Sequence, residues 1–188
     1  MYAREPGGSV RPVQALRQVK RPPRRSSNSY RPVQTEETNS IMSVTMGTEQ
    51  KVAIARDFVT RVFNEHQPDR ASEYFTPDAV WHGGSLGNIA GRDNIVNLLR
   101  VFIGALPDLV AVEQDLIASG DLVAVRLVVT ATHRADLLGI PASGRSVTWD
   151  AVDIYTVTDD GKINEEWALD DMAAFASQLG AISLPWAS

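Results

Sequence analysis

The sequence predicts an α+β fold in which N-terminal helices pack against a strongly bent, mainly antiparallel sheet that encloses a cone-shaped pocket. Two observations predict this class. Helical periodicity is concentrated ahead of Pro107, and long segments of alternating hydrophobicity follow at hairpin spacing. The clearest of these segments are 146–157 and 162–170, which the turn sequence Asp159-Asp160-Gly161 joins.

The helices are predicted from apolar stripes and end signals. Segments 48–65 and 94–106 carry such stripes, with Thr48 as a candidate cap of the first and Pro107 ending the second. A short helix over 70–75 lies between them. The last helix, 172–179, is expected to begin after Asp171 as its cap and to stop at Gly180.

The strands are predicted from period-two alternation and from turn residues. The predicted ranges are 79–82, 109–118, 122–133, 146–157 and 162–170. In segment 146–157, one face carries Trp149, Asp153 and Tyr155. In segment 162–170, Glu166 and Asp170 share a face, with Ile163 on the opposite one. Carboxylates among aromatic and aliphatic side chains indicate the wall of a pocket.

Composition divides the chain of 188 residues into a tail and one domain. Residues 1–47, rich in Arg, Pro and Ser, are predicted to be a disordered basic extension or to precede the true start codon. The domain is predicted over 48–182, with a short tail over 183–188.

The charge distribution and the lack of cysteine argue against several classes of partner and site. Residues 1–40 contain eight basic and three acidic residues, whereas the remainder contains ten basic and twenty acidic ones. This acidic domain argues against nucleic acid as a partner, and no apolar run is long enough for a membrane helix. The absence of cysteine excludes disulfides and Cys-ligated zinc. We therefore expect a cytoplasmic protein.

The second half of the chain resembles the SnoaL-type polyketide cyclases, which belong to the nuclear transport factor 2-like superfamily. The segments that carry the resemblance are Pro77–His82, Gly120–Arg126, Gly139-Ile140-Pro141, Gly161-Lys162-Ile163 and Gln178-Leu179-Gly180. The resemblance implies an α+β cone with a deep apolar pocket, often dimeric through its sheet. A homodimer or higher homo-oligomer that binds a hydrophobic small molecule is therefore expected.

The resemblance also indicates where this chain departs from the aldol cyclases. In that family a strand aspartate acts as general acid/base, and a histidine on the neighbouring strand helps to bind the substrate carbonyl. The aspartate's position is Ala168 here, and the histidine's position is Asp153. The same alignment places Asp153 and Glu166 inside the cone.

Four residues are candidates for catalysis: Asp153, Glu166, His82 and Arg126. A carboxyl group in apolar surroundings gains a raised pKa, and two close carboxyl groups divide acid and base work. His82 is a candidate to polarise a carbonyl or to shuttle a proton. Arg126 either pairs with a carboxylate for stability or orients Asp153.

The candidate substrate-binding residues are Trp81, Trp149, Tyr155, His133 and Asp170, and neither a metal nor a cofactor is expected. The resulting hypothesis is a cofactor-independent cyclase or isomerase acting on a polyketide-like intermediate of secondary metabolism. Two alternatives stay open. One is an enzyme that opens epoxides by water or an internal hydroxyl, and the other is a non-catalytic ligand-binding or dimeric scaffold protein.

Overall fold

The computed structural model describes residues 46–186, and it confirms the predicted α+β class. The strands are β1 Phe75–His82, β2 Asn88–Ala90, β3 Val110–Ser119, β4 Leu122–Thr132, β5 Ser146–Val157 and β6 Ile163–Asp170. They form one six-stranded sheet in the order β2-β1-β6-β5-β4-β3, and only the β1–β6 pair is parallel. The sheet is not closed into a barrel, because β2 and β3 are its two edges. The predicted N-terminal tail, 1–47, lies outside the described residues except for Met46 and Gly47, and the predicted C-terminal tail, 183–188, is described as far as Trp186.

The helices are α1 Thr48–Phe58, a π-helix Val59–Asn64, two 3₁₀ turns Pro68–Glu73 and Gly84–Leu86, α2 Arg92–Ala105 and α3 Met172–Gln178. In the described residues, helices and short strands alternate as far as α2. The four strands β3 to β6 then follow one another, and α3 comes last. Within residues 46–186, no helix combines the length and the apolar character needed to cross a membrane.

Several predicted boundaries are corrected by the structure. Gly47, and not Thr48, is the N-cap of α1. The predicted helix over 70–75 is the 3₁₀ turn Pro68–Glu73, because Phe75 already pairs with Ile163 in the sheet. Strand β1 therefore starts earlier than predicted, and Pro77 lies in a break of its register, where proline is tolerated.

Alternation along β5 produces the predicted buried face. Val147, Trp149, Ala151, Asp153, Tyr155 and Val157 are all buried. The Tyr155 ring lies edge-on to Phe58 of α1, with ring centroids 5.7 Å apart. Phe58 also packs edge-on against Phe75, and these contacts join the first helix to the centre of the sheet.

The pairing of β5 with β6 is irregular near their connecting turn, and this irregularity changes the face to which Ile163 points. Asp153 pairs with Ala168 and Tyr155 with Glu166, but the register shifts before Val157 pairs with Ile163. Ile163 is consequently buried, although strict alternation places it opposite Glu166. A bulge of this kind adds one residue to a strand and inverts the parity beyond it.

The end signals of the last helix are confirmed. The Asp171 side chain accepts a hydrogen bond of 2.9 Å from the backbone N–H of Ala174 at the start of α3. Beyond α3, Gly180 adopts a φ of 78°, which glycine reaches without a steric penalty. This arrangement fixes the chain just after β6, the strand that carries Glu166 and Asp170.

Candidate active site

A cavity of about 130 Å³ lies between the inner face of the sheet and helix α2. Its polar wall consists of three carboxyl groups on the β5–β6 hairpin: Asp153, Glu166 and Asp170. The remaining lining is apolar and includes Phe63, Trp81, Leu98, Phe102, Leu127 and Trp149. No Lys, Arg or His of the described chain lines this cavity.

Asp153 lies at the middle of the polar wall. Only 5% of this residue is exposed, and the Tyr155 hydroxyl donates a hydrogen bond of 3.0 Å to its Oδ2. Burial raises the pKa of Asp153 to about 7, and the nearby Asp170 charge adds to the rise, whereas the Tyr155 hydrogen bond opposes it. Asp153 can therefore exchange a proton near neutral pH.

Glu166 has fewer hydrogen-bond partners than the other two carboxyl groups of the cavity. It is 3% exposed, and it lies opposite Tyr155 and diagonally across from Asp153. No hydrogen bond from residues 46–186 reaches its carboxyl group. Burial first, and the Asp153 and Asp170 charges second, raise the pKa of Glu166 well above its usual range.

Asp170 completes the polar wall at the end of β6. It pairs with Ala151, and its Oδ1 accepts a hydrogen bond of 2.6 Å from the Trp149 indole N–H. Burial raises the pKa of Asp170, and the Trp149 hydrogen bond counteracts that rise. The predicted binding residues Asp170 and Trp149 thus meet at the cavity wall.

Ala168 leaves a space between these carboxyl groups. It stands directly opposite Asp153, and its neighbours on the same face of β6 are Glu166 and Asp170. Ala168 is the residue that the family resemblance predicts at the position of the aldol cyclases' aspartate, and its side chain is only a methyl group. The residue directly across the strand pair from Ala168 is Asp153.

The opening of the cavity is apolar. Leu86, Val101 and Leu138 line the cavity and are also 36%, 62% and 48% exposed. Three exposed aliphatic side chains at one opening favour the entry of a hydrophobic ligand. Leu138 adopts a φ of 52°, which is uncommon for a residue other than glycine.

Trp81 is held in the cavity wall by the absence of a side chain at Gly83. A Cβ atom at Gly83 would lie 2.0 Å from the Trp81 ring, whereas nothing lies within 4 Å of one at Gly104 in α2. We therefore expect Gly83→Ala to displace the ring and to cost about 1–3 kcal/mol of stability. Gly104→Ala, the matched control, is expected to stabilise the helix by about 1 kcal/mol. Thermal unfolding checks both, and equal melting temperatures would contradict the packing argument.

The Arg126 side chain lies on the opposite face of the sheet from the Asp153 side chain. Arg126 pairs with Val152 on the outer face of the sheet, and its Nε donates a hydrogen bond of 2.8 Å to Asp115. Its side chain is 45% exposed, with Asp150 as a second, more distant partner at 3.9 Å. The alternative in which Arg126 orients Asp153 is wrong, because neighbouring residues of a strand point to opposite faces.

This placement gives a direct prediction for Arg126→Gln. The variant loses only an exposed ion pair, so we expect kcat/KM to stay within about twofold of the wild-type value. Steady-state turnover and circular dichroism check this expectation. A loss of activity with an unchanged fold would require Arg126 to act on the cavity from outside.

Neither candidate histidine lines the cavity. His82 stacks on Trp167 at a centroid distance of 4.1 Å, and its Nε2 lies 2.9 Å from the Glu165 carboxylate. His133 is fully buried, with Nδ1 3.2 Å from the Ser143 hydroxyl and its ring edge-on to Phe175. The structure therefore does not bring either of them to Asp153.

The sequence does not indicate which helical residues line the cavity. Phe63 comes from the π-helix, and Leu98 and Phe102 come from α2. These residues have the periodicity of ordinary core positions, so a single sequence gives no signal that they line a cavity. Within residues 46–186, no group of three or more His, Asp or Glu residues is arranged to hold a metal ion.

Comparison with solved structures supports the fold. The proposed hydroxylase AclR from Streptomyces galilaeus matches at 26% identity and a TM-score of 0.65, covering 73% of this chain and all of that one. The proposed polyketide cyclase IdmH from Streptomyces antibioticus matches at 29% identity and a TM-score of 0.60, covering 70% and 99%. An LEH-like epoxide hydrolase from M. tuberculosis shares the fold at 17% identity and a TM-score of 0.57, covering 70% and 90%.

Sequence comparison gives the family. No curated protein matches the chain. The sequence profile described as SnoaL-like polyketide cyclase matches residues 53–179, which include all six strands and the three carboxyl groups of the cavity. The chain belongs to the SnoaL-like polyketide cyclase family.

Proposed function

We propose that the protein is a cofactor-independent cyclase or isomerase that acts on a hydrophobic, polyketide-like intermediate. The observation that carries this proposal is the diagonal pair of buried carboxyl groups, Asp153 and Glu166, at one wall of an apolar cavity. Both have raised pKa values, so the pair retains a proton at neutral pH and contains an acid and a base together.

The hydrogen bonds favour Asp153 as the base of the pair. The Tyr155 hydroxyl donates to Asp153 and favours its ionised form, whereas Glu166 has no such donor and keeps its proton more readily. Asp153 therefore takes a proton from a carbon beside a carbonyl. The electron pair left on that carbon forms a ring bond by attacking a second carbonyl, whose oxygen receives the proton from Glu166. A proton then returns from Asp153 to Glu166.

Epoxide opening is a second candidate, favoured by the same pair. A neutral carboxyl group can protonate an epoxide oxygen as its carbon–oxygen bond breaks, while the ionised partner takes the proton of an attacking internal hydroxyl. The absence of any cationic side chain from the described lining suits a reaction that builds up positive charge on carbon. The fold is shared with an epoxide hydrolase, although at an identity that supports the fold alone.

A substrate panel tests both candidates. Polyketide β-ketoesters and hydroxy-epoxides are incubated with the protein, with and without a chelator, and products are followed by chromatography and mass spectrometry. Ring formation that a chelator does not change supports cofactor-independent proton transfer. Saturable binding without any conversion would instead favour the ligand-carrier alternative.

A further inference from the structure

We infer that the cavity binds a compact hydrophobic ligand with one positive charge, held beside Ala168 by Asp153, Glu166 and Asp170. Because this ligand would occupy the cavity to which we assign turnover, the inference rests on the proposed function. The positive charge of the ligand is a further property, because proton transfer between Asp153 and Glu166 does not require a charged substrate. The charge either belongs to a basic nitrogen of the substrate or develops on carbon during the reaction.

The first support is the one-sided charge of the site. Three carboxyl groups line the cavity on the same face as Ala168, and no cationic side chain of the described residues lines it. The neighbouring hydroxyl and indole donors are engaged, since Tyr155 donates to Asp153 and Trp149 donates to Asp170. A positive charge at this point would have counter-charges on two strands.

The second support is that one of these carboxyl groups, Glu166, is buried without a hydrogen-bond partner among the described residues. Glu166 is 3% exposed and thus 97% buried. Its carboxyl group faces the cavity and has no hydrogen-bond donor from residues 46–186. The ionised form of such a buried carboxyl group is costly, so Glu166 keeps its proton in the free protein, and a bound cation would favour the ionised form by supplying its counter-charge. An ammonium group or a cationic carbon would supply that counter-charge.

The third support comes from the aromatic lining. Trp81, Trp149, Phe63 and Phe102 surround the apolar part of the same cavity. The faces of aromatic rings attract cations, and this attraction is stronger when water is excluded. The carboxyl groups and the aromatic rings that line this one cavity thus favour the same charge.

A series of four probes of one skeleton tests the inference by calorimetry: benzylammonium, benzyltrimethylammonium, benzyl alcohol and benzoate. At pH 8 we expect at least one of the two cations to bind about tenfold or more tightly than the alcohol, and benzoate to bind most weakly. Tighter binding of the primary ammonium assigns the charge to a hydrogen-bonding nitrogen. Tighter binding of the quaternary ion, which has no N–H donor, assigns it to a charge developed on carbon.

Two variants connect the result to the site. Glu166→Gln should weaken binding of the preferred cation about tenfold while leaving benzyl alcohol unchanged. Asp150→Asn, on the outer face of β5 and with a 73% exposed side chain, should leave both affinities unchanged. Melting temperatures confirm that both variants are folded.

Equal binding of cation, alcohol and benzoate by the wild-type protein would overturn the inference whatever the variants show. Cation binding that Glu166→Gln does not weaken would also overturn it. If turnover of neutral substrates is found but cations are not preferred, the ligand class is wrong and the proposed function stands. If cations bind but no substrate is turned over, the charge preference stands and the proposed function fails.

Discussion

Asp153→Asn is expected to reduce kcat/KM by about 10²–10⁴-fold while leaving the fold intact. Asparagine keeps the shape of aspartate and can still accept the hydrogen bond from the Tyr155 hydroxyl. It cannot take up a proton, so the base of the proposed pair is lost. Turnover of whichever substrate the panel identifies measures the effect, and the melting temperature measures the fold.

The control for this prediction is the same substitution at Asp150. Asp150 lies three residues earlier in β5, where it points to the outer face and is exposed. We expect Asp150→Asn to have wild-type activity. Equal activity of wild type, Asp153→Asn and Asp150→Asn would remove Asp153 from the mechanism.

The wild-type pH profile should carry the signature of the same pair. Asp153 must be ionised to act as the base, so kcat/KM should rise as the pH passes the Asp153 pKa of about 7. Glu166 must be protonated to act as the acid, so activity should fall again as Glu166 ionises at higher pH. A profile that is flat between pH 5 and pH 9 would contradict this division of roles.

Glu166→Gln is expected to remove activity and yet to stabilise the protein at alkaline pH. Burial favours the neutral form of Glu166, so its pKa is higher in the folded state than in the unfolded one. Below the unfolded pKa of about 4.3 both states hold the proton, and there is no penalty. As the pH rises further, the unfolded chain releases the proton while the folded protein retains it, and stability is lost progressively up to the folded pKa.

The variant lacks this pH-dependent loss. At pH 8 we expect Glu166→Gln to be about 1–2 kcal/mol more stable than wild type, which corresponds to several degrees in melting temperature. The advantage should shrink at about pH 4.5. Comparing the two proteins at each pH cancels the contribution of Asp57, Asp108 and Glu113, whose partners lower their pKa values. A lower melting temperature of the variant at pH 8 would show that Glu166 stabilises the fold.

The inner face of β5 could be predicted from the sequence because its alternation is regular over the whole strand. The same rule put Asp153 and Glu166 on the cavity side. It also separates Arg126 from its buried neighbours Val125 and Leu127, although only the register shows which face of β4 points to Asp153. The contacts of His82 with Trp167 and Glu165 follow from the parallel pairing of β1 with β6, and no local sequence pattern predicts that pairing.

Other features lie beyond pattern reasoning for physical reasons. Strand β2 has three residues, too few to show any alternation. The inverted parity at Ile163 follows from a bulge, and a single additional residue in a strand leaves no mark in composition. The sequence predicts Asp170 as a substrate-binding residue. Its hydrogen bond to Trp149 could not be predicted, because the two residues are on different strands that meet only in the folded protein.

The most direct test of the account is a titration of the buried carboxyl groups, because it requires no knowledge of the substrate. Side-chain carboxyl carbons of Asp and Glu are isotope-labelled and followed by NMR against pH, with Asp153→Asn and Glu166→Gln used to assign the two signals. The account predicts that Asp153 titrates near pH 7 and that Glu166 titrates well above its ordinary value. Titration of both groups at about pH 4 would contradict it, since two ordinary carboxylates would leave the cavity without an acid at neutral pH.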